Sequence, residues 1–240
     1  MAINIKLEHV SKSYGKKAVL NDVDLTIEEG QIYGLIGPSG AGKTTLVKII
    51  VGMEKVDVGT VQVLDTNMPN LKILQNIGYM AQSDALYPEL TAQENLQFFA
   101  SIFKINKTER KERMLYVADL VNLSGELNKK VSAYSGGMKR RLSLAIAFIQ
   151  NPKVLILDEP TVGIDPELRL SIWNELIRLK KEEKKTIIVT THVMDEAERC
   201  DRLAMIRDGK ILTSGSPKEL KNNYNVTSIE DVFLKAGGII

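Results

Sequence analysis

Cysteine is almost missing from this chain: Cys200 stands alone among 240 residues, so no internal disulfide can form, and nothing around it has metal-ligand spacing. A reduced, cytosolic setting is the simple reading. Charge of one sign is lacking as well. The 32 Lys and Arg against 30 Asp and Glu leave a formal net charge of +2, which argues against a nucleic-acid backbone as the main partner. No apolar run approaches the ~18 residues of a membrane-spanning helix, and Met1-Ala2-Ile3-Asn4-Ile5-Lys6-Leu7 alternates like a strand without the long apolar region of a signal peptide. If the protein works at a membrane, another chain is expected to do the crossing. Internal repeats, low-complexity tracts and flexible linkers are absent too. The length suits one sizeable core, or a core with a smaller subdomain.

What is present centres on Gly37-Pro38-Ser39-Gly40-Ala41-Gly42-Lys43-Thr44-Thr45. The apolar run Ile32-Tyr33-Gly34-Leu35-Ile36 before it reads as a buried strand, and Leu46-Val47-Lys48-Ile49-Ile50 after it has helical spacing. Strand, glycine loop and helix form the setting that the phosphate-binding pattern G-x-x-x-x-G-K-[ST] requires. Glycines at 37, 40 and 42 let the main chain curl inward so that its N–H groups wrap a triphosphate. The unpaired amides of the first helical turn and the helix dipole add to that donor nest. Lys43 supplies a full charge toward the β- and γ-phosphates, and the Thr44 hydroxyl is suited to Mg²⁺.

Along the chain, residues 3 to 36 read as a strand-rich lobe, with Tyr14 on a loop just after the first strand, where its ring could stack on an adenine. Gly59 to Val63 and Ile77 to Met80 read as further strands, the second leading to Gln82. The character then changes. Thr91-Ala92-Gln93-Glu94 is a capping box opening a helix, and a second helix starts near Thr108 with Met114, Leu115, Ala118, Leu120 and Val121 as its apolar face. Residues 84–150 therefore read as a helical insert, with Tyr87, Phe98, Phe99 and Phe103 expected mostly to pack its core.

Strand and helix alternation returns with Val154-Leu155-Ile156-Leu157, a run suited to a central parallel strand, ending in Asp158-Glu159. Asp165-Pro166-Glu167 caps a helix over 168–180, on which Trp173 is expected in the core. Thr186 to Thr191 reads as another buried strand with His192 at its end. Asp208-Gly209 makes a hairpin turn, and short helices open at Ser216 and near Ser228.

In an open α/β sheet, ligands sit beyond the carboxyl ends of the strands, where the glycine loop, Asp158-Glu159 and His192 all fall. An acid ending a buried strand needs a cation to face. Asp158 is therefore read as sharing a magnesium shell with Thr44, Glu159 as orienting and deprotonating an attacking water, and His192 as reaching the γ-phosphate. A second anion site is written at Tyr134-Ser135-Gly136-Gly137-Met138-Lys139-Arg140-Arg141, where Ser135 reads as an N-cap and two glycines bare the helix end. One phosphate chain has no obvious need of both sites unless they belong to different copies of the protein.

Residues 37–44, Gln82, Ser135-Gly136-Gly137, Asp158-Glu159, Gly163-Ile164-Asp165 and His192, in that order, resemble the Walker A, Q-loop, signature, Walker B, D-loop and H-loop motifs of ATP-binding cassette (ABC) ATPases. The resemblance covers essentially the whole chain. It implies an α/β P-loop NTPase core of ABC type, with an N-terminal antiparallel β subdomain and an inserted α-helical subdomain. The whole chain would be one ABC ATPase domain, 1–83 and 151–240 forming the nucleotide-binding core and β subdomain, and 84–150 the helical part.

By that resemblance, two copies, or one copy and a related ATPase, would pair head to tail. Ser135, Gly136 and Gly137 of one would close over ATP held by the other's Lys43, Gln82 would contact magnesium and link the site to the helices, and Asp165 would bridge the subunits. Met138 departs from the family's usual Gln, and its thioether cannot make the polar contacts of an amide. The Tyr-Ser-Gly-Gly-Met-Lys-Arg-Arg form, with the ending Ser228 to Leu234, further resembles ATPase subunits of bacterial two-component drug or antibiotic exporters. The expected assignment is thus an ATP- and Mg²⁺-dependent ATPase at the cytoplasmic face of a membrane, energising a separate permease that docks near Gln82 to Pro88 and the inserted helices. A soluble ABC ATPase of translation, repair or assembly is the alternative, with a P-loop phosphotransferase and a nucleotide sensor behind it.

Overall fold

The computed structural model describes residues 2–238. Alternating apolar residues make β1 (Ile3–Tyr14) and β2 (Lys17–Glu28) an antiparallel hairpin that buries Ile5, Leu7, Val10, Leu20, Val23 and Ile27 on one face. β1 runs further than expected. Tyr14 is its last residue, paired with Lys17, so the ring sits at a strand end and not on a free loop. The continuous apolar run β3 (Ile32–Ile36) is buried throughout and feeds the glycine loop and α1 (Lys43–Ile50). β4 (Val58–Val63) and β5 (Thr66–Asn67) return to the first sheet, whose four strands run β2-β1-β4-β5. The strand-rich lobe is therefore divided: β3 leaves it for the second sheet.

That sheet is completed by β6 (Ile77–Met80), followed, after a helical stretch, by β7 (Val154–Asp158), β8 (Thr186–Thr191), β9 (Arg202–Arg207) and β10 (Lys210–Gly215). Its six strands are ordered β10-β9-β3-β8-β7-β6, parallel except for the β9–β10 hairpin. Side chains alternate between two cores. Tyr33, Leu35, Ile156 and Ile188 face α1 and the first sheet, and Ile36, Leu155, Leu157 and Val189 face the helices on the other side.

The helical stretch holds α2 (Ala92–Ile102), closed by the Thr91–Glu94 capping box, α3 (Lys107–Leu120), capped by Asn106, and α4 (Gly136–Phe148), capped by Ser135. After β7, α5 (Pro166–Glu183) extends past the expected helix at both ends and buries Trp173, with Asp165 as its cap. α6 (Met194–Ala197), α7 (Pro217–Asn223) and α8 (Ile229–Ala236) complete the chain, the last two opening at Ser216 and Ser228. Two side-chain expectations fail. Leu115 points to solvent while Val117 takes the buried place, because the helical period favours positions 114, 117, 118 and 121. Tyr87 and Phe98 stack edge to face at 4.8 Å on the surface, leaving Phe99 and Phe103 to pack against the core.

Candidate functional site

Four neighbouring parallel strands, β3-β8-β7-β6, deliver their carboxyl ends side by side. From Ile36 the chain enters the glycine loop, from Thr191 it reaches His192, from Asp158 it reaches Glu159, and two residues past Met80 it reaches Gln82.

The loop can only be glycine where it is tightest. A Cβ on Gly37 would lie 2.2 Å from the Ile206 carbonyl oxygen, and Gly42 has φ +108° with Val19 and Leu20 of β2 against it. Pro38, Ser39 and Gly40 are exposed at the tip, Ala41 is buried, and Thr45 is half-buried in the first turn of α1. Gly42 gives α1 no side-chain cap, so the leading amides of the helix are left for another acceptor. Lys43 is only 6% exposed. Its ammonium folds back onto the carbonyls of Gly37 at 2.7 Å and Pro38 at 3.1 Å. Burial pulls its pKa below the ordinary lysine value, opposed by the charges of Glu159 and Asp158.

Asp158 is 1% exposed and accepts from Thr44 Oγ1 at 3.0 Å and from Thr190 Oγ1. A carboxylate this buried and held by hydroxyls, with the Lys43 charge close by, is a hard-oxygen donor set that fits Mg²⁺. The glycine nest, the uncapped helix and Lys43 fit the phosphates that Mg²⁺ accompanies. Glu159 has φ +53°, a left-handed conformation costly for a side-chain-bearing residue, and its N–H donates to Thr190 at Oγ1 (2.9 Å) and O (3.2 Å). The turn aims its carboxylate at His192, whose Nδ1 lies 3.1 Å from Oε1. Tyr14 is 46% exposed, with Lys12 Nζ 5.5 Å from its ring centre, on the hairpin whose second strand touches Gly42.

Apart from Gln82, the remaining predicted residues lie elsewhere. Ser135 and Gly137 share a cleft of about 350 Å³ with Gly163, Ile164 and Asp165, on exposed surface that no residue of the glycine loop lines. Ser135 Oγ accepts the Met138 N–H at 3.3 Å, and Gly136 is exposed beside it. Gln82 presents an exposed side chain, and its main-chain carbonyl is held by Arg140.

The sequence reading missed Arg140, and also Glu196, a buried acid whose oxygens accept from Thr161 Oγ1 and from Thr191 Oγ1, the residue before His192. A signal existed for Arg140. It falls on the buried face of α4 at helical spacing with Leu144 and Ala147, where a charge demands partners.

A sequence profile of the family described as ABC transporter matches residues 20–162. The chain belongs to the ABC transporter family. This cassette is 42% identical, over 97% of its length, to ABC transporter G family member 23 of Dictyostelium discoideum, and spans 34% of that protein. It is also 42% identical over 90% of its length to Nod factor export ATP-binding protein I of Rhizobium etli, covering 69% of that one. An ATP-binding cassette solved as a dimer in a post-hydrolysis state with ADP and Pi superposes with a TM-score of 0.83 at 32% identity, over 88% of this chain and 98% of that one. The cassette is an ATPase acting on ATP with Mg²⁺. Among its described residues no helix is long and apolar enough to cross a membrane.

Proposed function

We propose that this cassette is the ATP-hydrolysing subunit of a membrane exporter, working as a head-to-tail pair at the cytoplasmic face with a separate permease. The observation that carries this reading is the separation of the two phosphate-binding features: Lys43, Asp158, Glu159 and His192 at the sheet edge, Ser135 and Gly137 in another cleft. A second copy facing the first brings the serine-tipped end of α4 over the partner's glycine loop, completing a site that neither holds alone. The dimeric cassette with ADP and Pi supports the pairing, and the Nod factor relative's name supports export.

In this reading the amides of residues 37–45 and Lys43 hold the phosphates, and Tyr14 stacks on the base. Thr44, Asp158 and Gln82 hold Mg²⁺, which when bound offsets phosphate charge. Glu159 takes the proton of the attacking water, and His192 orients that carboxylate and meets the terminal phosphate. Ser135, Gly136 and Gly137 close the partner's site, with Asp165 of the same cleft at the junction. Closed pairing binds ATP better than open pairing does, and hydrolysis removes that preference.

Residues 84–150 form the helical subdomain within this single ABC ATPase domain. For the permease, the structure offers a groove of about 740 Å³ lined by Met53, Leu71, Tyr79, Phe99, Ile102 and Phe103. Leu71 at its rim is 87% exposed, an apolar surface that favours a protein partner. The exposed apolar lining of the groove comes from Met53, Leu71 and Ile102, and Phe99 on its wall lies 6.3 Å, ring centre to ring centre, from Tyr87 of the stretch 82–88. The assignment is tested by recovering tagged chain from solubilised membranes of its source cells: a co-purifying membrane-spanning chain is expected, and recovery of the cassette only from the soluble fraction, without such a chain, overturns it.

A further inference from the structure

Arg140 lies in the second turn of α4 and is 8% exposed. A guanidinium is tolerated at that depth only when its N–H groups are used. Nη1 donates to the carbonyl oxygens of Ala81 at 2.7 Å and Gln82 at 3.0 Å, and Nη2 donates to those of Asp158 and, at 2.8 Å, Glu159. All the Nη hydrogens are spent this way, leaving Nε as the unpartnered nitrogen. One side chain thus ties together the main chains that carry Gln82, Asp158 and Glu159.

A neighbour reinforces the tie. Ser143, on the same helix, donates from Oγ to Asp84 Oδ1 at 2.7 Å, so α4 grips the stretch 81–84 through both residues. The consequence is sharpest at Glu159. Its left-handed backbone persists only if its surroundings fix it. Thr190 takes its N–H and Arg140 takes its carbonyl, so the peptide groups on both sides of the carboxylate are pinned. Planar, forked geometry lets a guanidinium span two segments in this way, and an ammonium cannot reproduce it.

We propose that Arg140 is a positioning residue for ATP hydrolysis: it holds Glu159 and Gln82 in register with the serine-tipped helix α4, so that the carboxylate is aimed when the pair closes. This rests on the proposed roles of Glu159 and Gln82. Arg140 hydrogen-bonds only to protein carbonyls and to none in the glycine loop, so at saturating Mg²⁺ its removal acts on the aim of the carboxylate rather than on the grip on the phosphates.

The test compares wild type, Arg140→Ala, Arg140→Met and Arg140→Lys as full chains, following steady-state phosphate release, affinity for a fluorescent ATP analogue, and thermal unfolding. For Arg140→Ala, kcat is expected to fall by about tenfold to a hundredfold, as for a small misplacement of a reacting group, with KM and analogue affinity within about twofold. Millimolar guanidinium ion is expected to restore part of the rate in Arg140→Ala, where the side-chain space is vacated, and not in Arg140→Met, where it is filled. Arg140→Lys is expected to lose kcat as well.

Unchanged kcat in Arg140→Ala overturns the proposal. So does a joint loss of kcat, nucleotide affinity and thermal stability without guanidinium rescue, which marks a purely structural role. If Arg140→Ala does not fold, Arg140→Lys decides by the same split between kcat and KM; if neither folds, Arg140 serves folding and the proposal fails. A wild-type chain that releases no phosphate would instead count against the proposed function itself.

Discussion

Glu159 and His192 face each other across the ends of the adjacent parallel strands β7 and β8, with imidazole Nδ1 3.1 Å from carboxylate Oε1. The pair is formed within one chain, while Ser135 faces a different surface. In the proposed pairing each copy would carry a proton acceptor and its orienting group, and would take its cover from the other.

Glu159→Gln keeps the shape and the strand-end turn but removes the proposed base. Hydrolysis should fall by about a hundredfold or more, the range of a lost general base. ATP-bound pairs should then accumulate on size exclusion. Turnover close to wild type would show that the proton goes elsewhere.

Thr44→Val removes one hydroxyl from the Asp158 carboxylate, leaving Thr190 as its remaining hydroxyl donor. The Mg²⁺ concentration giving half-maximal hydrolysis should rise by about tenfold or more. A hydrolysis rate that reaches half-maximum at the wild-type Mg²⁺ concentration would remove Thr44 from the metal's surroundings.

Lys43 sets a pH dependence of definite sign. Its folded value is pulled below 10.5, the ordinary lysine value. Between the two values the unfolded chain binds more protons, so the stability of the nucleotide-free chain gains from this group as pH rises through that window. Bound phosphates favour the ammonium. ATP binding should therefore take up protons in the same window, and affinity should drop as pH climbs through it. Calorimetry in buffers of different ionisation heat reads the uptake directly, and Lys43→Arg, charged throughout, should abolish it. Buffer-independent heats in the wild type would contradict this account.

Cys200 is buried, its Sγ 3.5 Å from the Glu196 carbonyl, and burial pushes the thiol well above its usual range. A thiol reagent should leave it unmodified in the native chain and react fully once the chain is unfolded. Rapid native labelling would mean that the α6 region opens far more readily than its packing suggests.

Much of this site is legible in the sequence because each motif sits at the end of an apolar run: Ile36 into the glycine loop, Leu157 into Asp158, Thr191 into His192. Caps are equally local, and Thr91, Ser135, Asp165, Ser216 and Ser228 all cap as their spacing implies. What a linear reading cannot supply is the meeting of distant segments. For Arg140 the helical spacing marks a buried charge but not its partners, because these are carbonyls 18 to 59 residues away and main-chain carbonyls have no signature in sequence. Strand partners are equally hidden. The glycine loop after β3 places that strand with the parallel ones, but nothing near β4 in sequence says that it joins the antiparallel sheet.

The central claim is a site assembled from two copies, and mixing two defective variants tests it most directly. Lys43→Ala lacks the ammonium proposed to hold phosphate, and Ser135→Glu places a repelling charge on the helix end proposed to cover it. If the halves of one site come from different copies, each variant alone should be inactive, while a one-to-one mixture should recover phosphate release. Mixed pairs then contain one intact site, giving at most about a quarter of the wild-type rate for random pairing. No recovery in a mixture shown by cross-linking to contain mixed pairs would contradict the account.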